Sequence, residues 1–272
     1  MQLITSESNS LIKEIKSLKL KKFREKNKLF FIEGVKFIEE SLISEEEIQA
    51  IIIAESIAKD EKILDLIHGA EQKEYNVKIY LVSDNILKKL SDTETPQGII
   101  AIIKMRDYNL EDVIGKGIKN NLFIILDEIQ DPGNMGTIIR TADAANFNAV
   151  IIGKGCVDVY NPKVLRSTMG SIFHIPVVKS YDLSDTINYL KSRGIKIYAS
   201  HLNGMKTCYE LDVSHNTAFI IGNEANGLSH QTSALADILI KIPMPGEAES
   251  LNASIAAGIL TYETVRQRMT FK

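Results

Sequence analysis

Residues 122–152 read LFIILDEIQDPGNMGTIIRTADAANFNAVII. Leu122–Leu126 is a continuous apolar run that ends at two acids, the pattern of a strand buried on both faces. Asn134–Ala145 has helical spacing behind the Pro132-Gly133 turn, with Asn134 as a candidate N-cap. Ala149–Ile152 is a second apolar strand. A strand, a helix and a strand of this kind predict a parallel pair joined by a crossover helix. Towards the C-terminus the alternation continues. A short helix is expected over Pro162–Thr168, a strand over Ile172–Val178 and a helix over Leu183–Arg193. Strands follow at Lys196–Ala199, Ala218–Ile221 and Ile238–Ile242, then a long helix at Ser250–Met269. The fold class is therefore α/β, with a mostly parallel sheet covered on both faces.

Towards the N-terminus, Asp107–Asn121 is polar, contains Gly115 and Gly117, and reads as a linker. Before it lies a smaller α/β unit. Helices are expected at Glu33–Ser41, Ile57–Ile67 and Asn85–Leu90, and strands at Ile48–Ala54, Lys78–Val82 and Gly98–Ile103. The division is 1–106, a linker at 107–120, and 121–272. Lys13–Lys28 holds eight basic residues against Glu14 and Glu25. Leu11, Ile12, Ile15, Leu18 and Leu20 give the same stretch a helical apolar stripe. It reads either as a solvated helix face or as a phosphate-contacting element in which Lys19, Lys21, Lys22 and Arg24 would meet nucleic acid.

The chain of 272 residues is 44% hydrophobic and 25% charged, with a net charge of −3. That balance fits a folded protein and excludes a polycation that coats nucleic acid, so any such affinity must be local. No apolar run is long enough to span a membrane, and the first residues lack a secretory layout. Cys156 and Cys208 are the two cysteines, too few for a disulfide framework, which points to a reducing cytoplasm. His201, Cys208 and His215 match no standard metal spacing, so no metal is expected.

Three loops follow strand ends, where open α/β sheets bind ligands. The first is Leu126–Gly136, leading to Arg140. The second is Gly222-Asn223-Glu224-Ala225-Asn226-Gly227-Leu228. The third is Ile242-Pro243-Met244-Pro245-Gly246, continuing to Ser250-Leu251-Asn252-Ala253-Ser254. Each alone is also readable as structure: a capped helix with a surface arginine, a plain connection, and Ser250 as an N-cap.

In this order N-x-G-x-x-x-R, G-N-E-x-x-G-L and I-P-M-x-G with S-L-N-x-S resemble the SpoU (TrmH) family of RNA ribose 2′-O-methyltransferases in the SPOUT superfamily. The resemblance covers 120–272. The basic helix, Phe31-Ile32-Glu33-Gly34 and Thr95-Pro96-Gln97-Gly98 are similar to the ribosomal-protein-like substrate-binding domain of many members. The resemblance implies a catalytic domain with a trefoil knot, a homodimer, S-adenosylmethionine as cofactor and RNA as partner. Gly222, Ile242 and Leu251 match cofactor-lining positions. Arg140 matches the key catalytic residue, Asn134 a position supporting it and the substrate, and Ser250 and Asn252 positions near the methyl-transfer centre. Glu224 matches a position that fixes the catalytic loop, by pairing with Arg140 or with the RNA ribose. Lys163 and Arg166 match a stretch near the site and read equally as phosphate contacts or surface charge. Arginine is effectively never deprotonated. Arg140 is therefore expected to hold a phosphate and stabilise developing alkoxide charge, with the proton leaving to water or to a phosphate oxygen.

The expected activity is methylation of a ribose 2′-hydroxyl, in ribosomal RNA by analogy with the front domain, with transfer RNA as the alternative target. A non-catalytic RNA-binding protein is the rival of a different class. A nucleotide-binding oxidoreductase would need more than Gly153-Lys154-Gly155, which lacks the third glycine of the dinucleotide fingerprint.

Overall fold

The structure, a computed structural model, describes residues 2–73, 76–115 and 121–270. The chain folds into two compact units, 1–106 with 160–165, and 107–159 with 166–272.

The first unit contains β1 (Gln2–Ile4), α1 (Ser10–Ser17), α2 (Lys21–Asn27), β2 (Leu29–Glu33), α3 (Val35–Ile43) and β3 (Ile48–Ala54). It continues with α4 (Glu61–Glu71), β4 (Lys78–Val82), α5 (Asp84–Leu90) and β5 (Ile99–Lys104). The sheet order is β1-β4-β3-β5-β2, with β5 antiparallel to both its neighbours. Asn9 caps α1 by accepting from Leu11 N–H. Ile12, Ile15 and Leu18 of the expected stripe join a core with Ile52, Val82 and Ile100, whereas Leu20 is exposed. The helix expected from Glu33 starts later, because Glu33 ends β2 and Gly34 turns the chain at φ +106°. A Cβ at Gly34 would lie 3.0 Å from Gln97 Oε1.

The second unit opens with α6 (Leu110–Val113), inside the stretch read as a linker. Asn109 and Asp112 form a capping box around it, and Val113 is buried in the core of this unit. The described part of that stretch is thus packed structure, and 116–120 lie outside the described residues. There follow β6 (Leu122–Leu126), α7 (Pro132–Ala144), β7 (Ala149–Ile152), α8 (Pro162–Thr168), β8 (Val177–Lys179), α9 (Leu183–Ser192) and β9 (Lys196–Ser200). Then come β10 (Lys206–Thr207), β11 (Thr217–Ile221), α10 (His230–Leu235), β12 (Ile238–Lys241) and α11 (Ala253–Thr270).

The sheet order is β10-β12-β9-β11-β6-β7-β8, and every pairing is parallel. The strand expected over Ile172–Val178 divides. Ser171–Phe173 is a 3-10 turn, and only Val177–Lys179 is strand. Pro176 between them has no N–H to donate to a ladder. β6 and β11 are buried at every position, as central strands of a doubly covered sheet must be. α11 packs against α7 and β11.

Candidate functional site

All three motif loops leave the C-terminal ends of strands in the second sheet. β6 and β11 are adjacent, and β12 lies on the far side of β9. At about 4.8 Å per strand, the outer two loops start about 14 Å apart.

The first loop ends in a cap. Asp131, not Asn134, is the N-cap of α7. Its side chain accepts from Asn134 N–H at 2.8 Å, and Pro132 takes the first helical position, where its missing N–H is no loss. Asn134 is therefore inside the helix and 7% exposed. Its Nδ2 donates to Glu224 Oε1 at 3.0 Å. The backbone N–H groups of Asp131 and Gln130 donate to the same carboxylate at 3.2 and 3.3 Å. Burial alone would raise the pKa of Glu224, but the hydrogen bonds from Asn134 and from backbone N–H groups outweigh it and hold the carboxyl below its usual value. Asn223 adds a second tie, its Nδ2 donating to Glu128 C=O at 2.8 Å.

These bonds fasten the first loop to the second. Asn223 and Gly227 also close the second loop on itself with reciprocal backbone bonds of 3.0 and 2.9 Å. A Cβ at Gly222 would sit 2.5 Å from the Gly227 carbonyl carbon, so that closure requires glycine there.

Arg140 lies six residues beyond Asn134, about 9 Å along α7 and on another face. It is exposed. Among the described residues it has no hydrogen bond or ion pair. The expected pairing with Glu224 is not formed, because Asn134 and the backbone occupy that carboxylate.

On the third loop, β12 ends at Lys241, so Ile242 already belongs to the loop. Ser250 does not cap the helix. Asn252 Oδ1 accepts from Ser254 N–H at 2.9 Å, Ile255 N–H at 3.3 Å and Ser254 Oγ at 2.6 Å, so α11 begins three residues later than expected. Ser250 is exposed. Between Met244 and Ser250 no backbone group bonds another described residue. Ile242 and Met244 are half-buried and Leu251 is 37% exposed. Open backbone polar groups beside apolar side chains at a strand end suit a nucleoside-like ligand, the backbone for its polar edge and the side chains for its flat face.

The remaining candidates scatter in role. Arg24 is 3% exposed, and its Nη1 donates to the carbonyls of Leu18 and Lys19 at 2.7 and 2.9 Å. It holds the α1–α2 turn and does not present charge to a ligand. Lys19 is paired with Asp92 at 2.8 Å and donates to Ser91 C=O. Lys21 faces Glu25 at 3.8 Å. Lys22 is exposed without a partner among the described residues. Lys163 and Arg166 are exposed on α8. Among the described residues no group of three His, Cys, Asp or Glu side chains is placed to hold a metal, and no helix is long and apolar enough to cross a membrane.

A parallel α/β domain with cross-linked strand-end loops, preceded by a mixed-sheet unit, defines a two-part ligand-binding architecture. Its sequence places it in a family: the SpoU rRNA Methylase model matches residues 121–262, and the MRM3-like substrate binding domain matches 9–101. The chain belongs to the SpoU rRNA methylase family. It is 37% identical over 96% of its length, and 98% of the relative's, to the 23S rRNA (guanosine(2553)-2′-O)-methyltransferase RlmP of Bacillus subtilis. Among solved structures it resembles the AdoMet-bound rRNA methyltransferase of Sinorhizobium meliloti, with TM-score 0.87, 29% identity and 97% of each chain covered. It also resembles the methyltransferase AviRb of Streptomyces viridochromogenes in complex with AdoMet, with TM-score 0.88, 26% identity, and 96% and 99% covered.

Proposed function

We propose that this protein methylates a ribose 2′-hydroxyl in ribosomal RNA, using S-adenosylmethionine. The observation that carries the reading is the Asn134–Glu224 tie, which joins two motif loops at one end of the sheet. The relatives' names and their AdoMet-bound structures support the same chemistry. When bound, the cofactor supplies a methyl group on a positively charged sulfur. Gly222, Ile242, Leu251 and the open backbone of the third loop would hold it. Glu224 fixes the amide of Asn134, because a carboxylate can accept only from the NH2 side. Asn134 Oδ1 is thereby presented as an acceptor with a set direction. Arg140 offers a guanidinium for an RNA phosphate and for charge developing on the attacking oxygen. Most of the protein's task is orientation.

Two assembly features belong to this reading. The first is a threaded C-terminal segment, supported by the family match and by the insertion of β11 between β6 and β9. The second is a homodimer through α11. Ile255, Tyr262 and Met269 recur every seven residues on that helix and are 54%, 53% and 74% exposed, an apolar stripe of the kind that seeks a partner. With ribosomal RNA as substrate the protein would work in the cytoplasm. The test is to incubate purified protein with S-adenosylmethionine and a 23S ribosomal RNA transcript and to map ribose methylation. Arg140→Ala should abolish transfer, and Arg140→Lys should lose most of it. Near-full activity of the lysine variant contradicts a bidentate guanidinium role.

A further inference from the structure

Every carboxylate near the strand ends except one has a visible occupation or lies open to solvent. Glu224 takes three donors. Asp131 caps α7. Glu128, Glu247 and Glu249 are exposed. Asp127 differs. It directly follows β6, the strand between β7 and β11, and is 9% exposed. Its backbone N–H is held by Ile221 C=O at 2.9 Å, so it stands where the first and second loops diverge. Among the described residues its carboxylate has no hydrogen bond and no ion pair. Neither oxygen is sealed from solvent.

The surroundings are poor in anything that would satisfy it. Beyond β7, Gly153 N–H is spent on Leu126 C=O at 2.8 Å. A side chain at Gly153 would meet that same carbonyl at 2.9 Å. Cys156 Sγ is 3.4 Å from it as well. Burial pushes the Cys156 thiol up to about 11, and the negative charge of Asp127 adds to the rise. The thiol that feels its charge is thus neutral. With no donor among the described residues, the Asp127 carboxylate is left to water or to a ligand, and such a group calls for a functional explanation.

Resting on the reading above, we propose that Asp127 is the catalytic residue that takes up the proton of the ribose 2′-hydroxyl. As the O–H bond breaks, its proton passes to an Asp127 oxygen. The ribose oxygen forms its bond to the methyl carbon, and the carbon–sulfur bond breaks with its electron pair remaining on sulfur. Charge balances: a carboxylate and a sulfonium become a neutral acid and a neutral thioether. Glu224 is unsuited to this task because three donors already hold its oxygens and lower its basicity, and Arg140 has no lone pair to offer.

The test compares Asp127→Asn and Asp127→Glu with the parent in the full chain, on a 23S ribosomal RNA transcript. In the asparagine variant single-turnover transfer should fall about 100-fold or more, with partial recovery by glutamate, as expected for loss of a general base. Affinity for S-adenosylhomocysteine by calorimetry, and for RNA by filter binding, should stay within about threefold, and the asparagine variant should melt no lower than the parent. Transfer close to the parental rate overturns the proposal. A lower melting temperature or lost S-adenosylhomocysteine affinity also overturns it, because Asp127 would then be a structural or anchoring acceptor. A parent that transfers no methyl group refutes the methyltransferase reading, and this proposal with it. Failure of the variants alone leaves that reading standing.

Discussion

Arg24 and Lys22 stand two residues apart in one basic run, yet the backbone gives them opposite tasks. The sequence shows the charge of Arg24 but not its direction, which depends on where the carbonyls of Leu18 and Lys19 fall after the α1–α2 turn. Arg24→Ala should lower stability by about 2–4 kcal/mol, through two lost charged hydrogen bonds, and be read as a fall in melting temperature. Lys22→Ala should leave melting unchanged. If it contacts RNA, the salt dependence of binding should drop by about one counterion. Glu224 tells the same story at the site. Its place in G-N-E-x-x-G-L is legible, but its partners lie 90 to 94 residues away in sequence, so the sequence offers Arg140 or the RNA ribose and does not show Asn134. Glu224→Ala should cost about 1–3 kcal/mol for the stranded donors and reduce transfer more than it reduces RNA binding, as single-turnover and binding measurements would show. Asp127 escaped notice because an acid after an apolar strand looks like a boundary. Only burial distinguishes it from Glu128.

Elements were legible where periodicity is long and apolar. Ile48–Ala54, Lys78–Val82 and Leu122–Leu126 emerge with their expected bounds. The first and third are buried almost throughout, and such a strand admits few polar residues. Elements were missed where tertiary contacts decide. β1 and β10 have three and two residues and exist only through pairing with β4 and β12. Helix starts shifted for a local reason. Asp131 and Asn252 have side chains in reach of the first free N–H groups, whereas the residues expected to cap did not. Asp131→Ala should therefore destabilise by about 1 kcal/mol, measurable by denaturant unfolding. The exposed face of α11 makes a separate prediction. Tyr262→Arg should convert a dimer into a monomer in sedimentation equilibrium without loss of helicity. A parent that sediments as a monomer at micromolar concentration refutes the dimer.

At the scale of the molecule, the stability of the first unit should depend on pH through a buried acid. Glu46 is 2% exposed, and burial raises its pKa from 4.5 to about 7, against the opposing charge of Arg106 at 3.0 Å. The folded form holds the proton more tightly than the unfolded form. The contribution is therefore complete below about pH 4.5 and is lost as pH climbs to about 7, amounting to at most about 3 kcal/mol. Glu46→Gln should flatten that decline, leaving the variant the more stable of the two above pH 7 in urea titrations. The second unit carries a different whole-molecule consequence. β11 fills the gap between β6 and β9, although four other strands, β7 to β10, precede it in the chain after β6. During synthesis the polypeptide from 122 to about 216 can form β6, β7 and β8 as one ribbon, but β9 has no neighbour to lie against. Until residues 217–221 leave the ribosome, one edge of β6 and both edges of β9 wait unpaired. Closing them requires contacts nearly a hundred residues apart, an arrangement that folds slowly and invites aggregation in the interval.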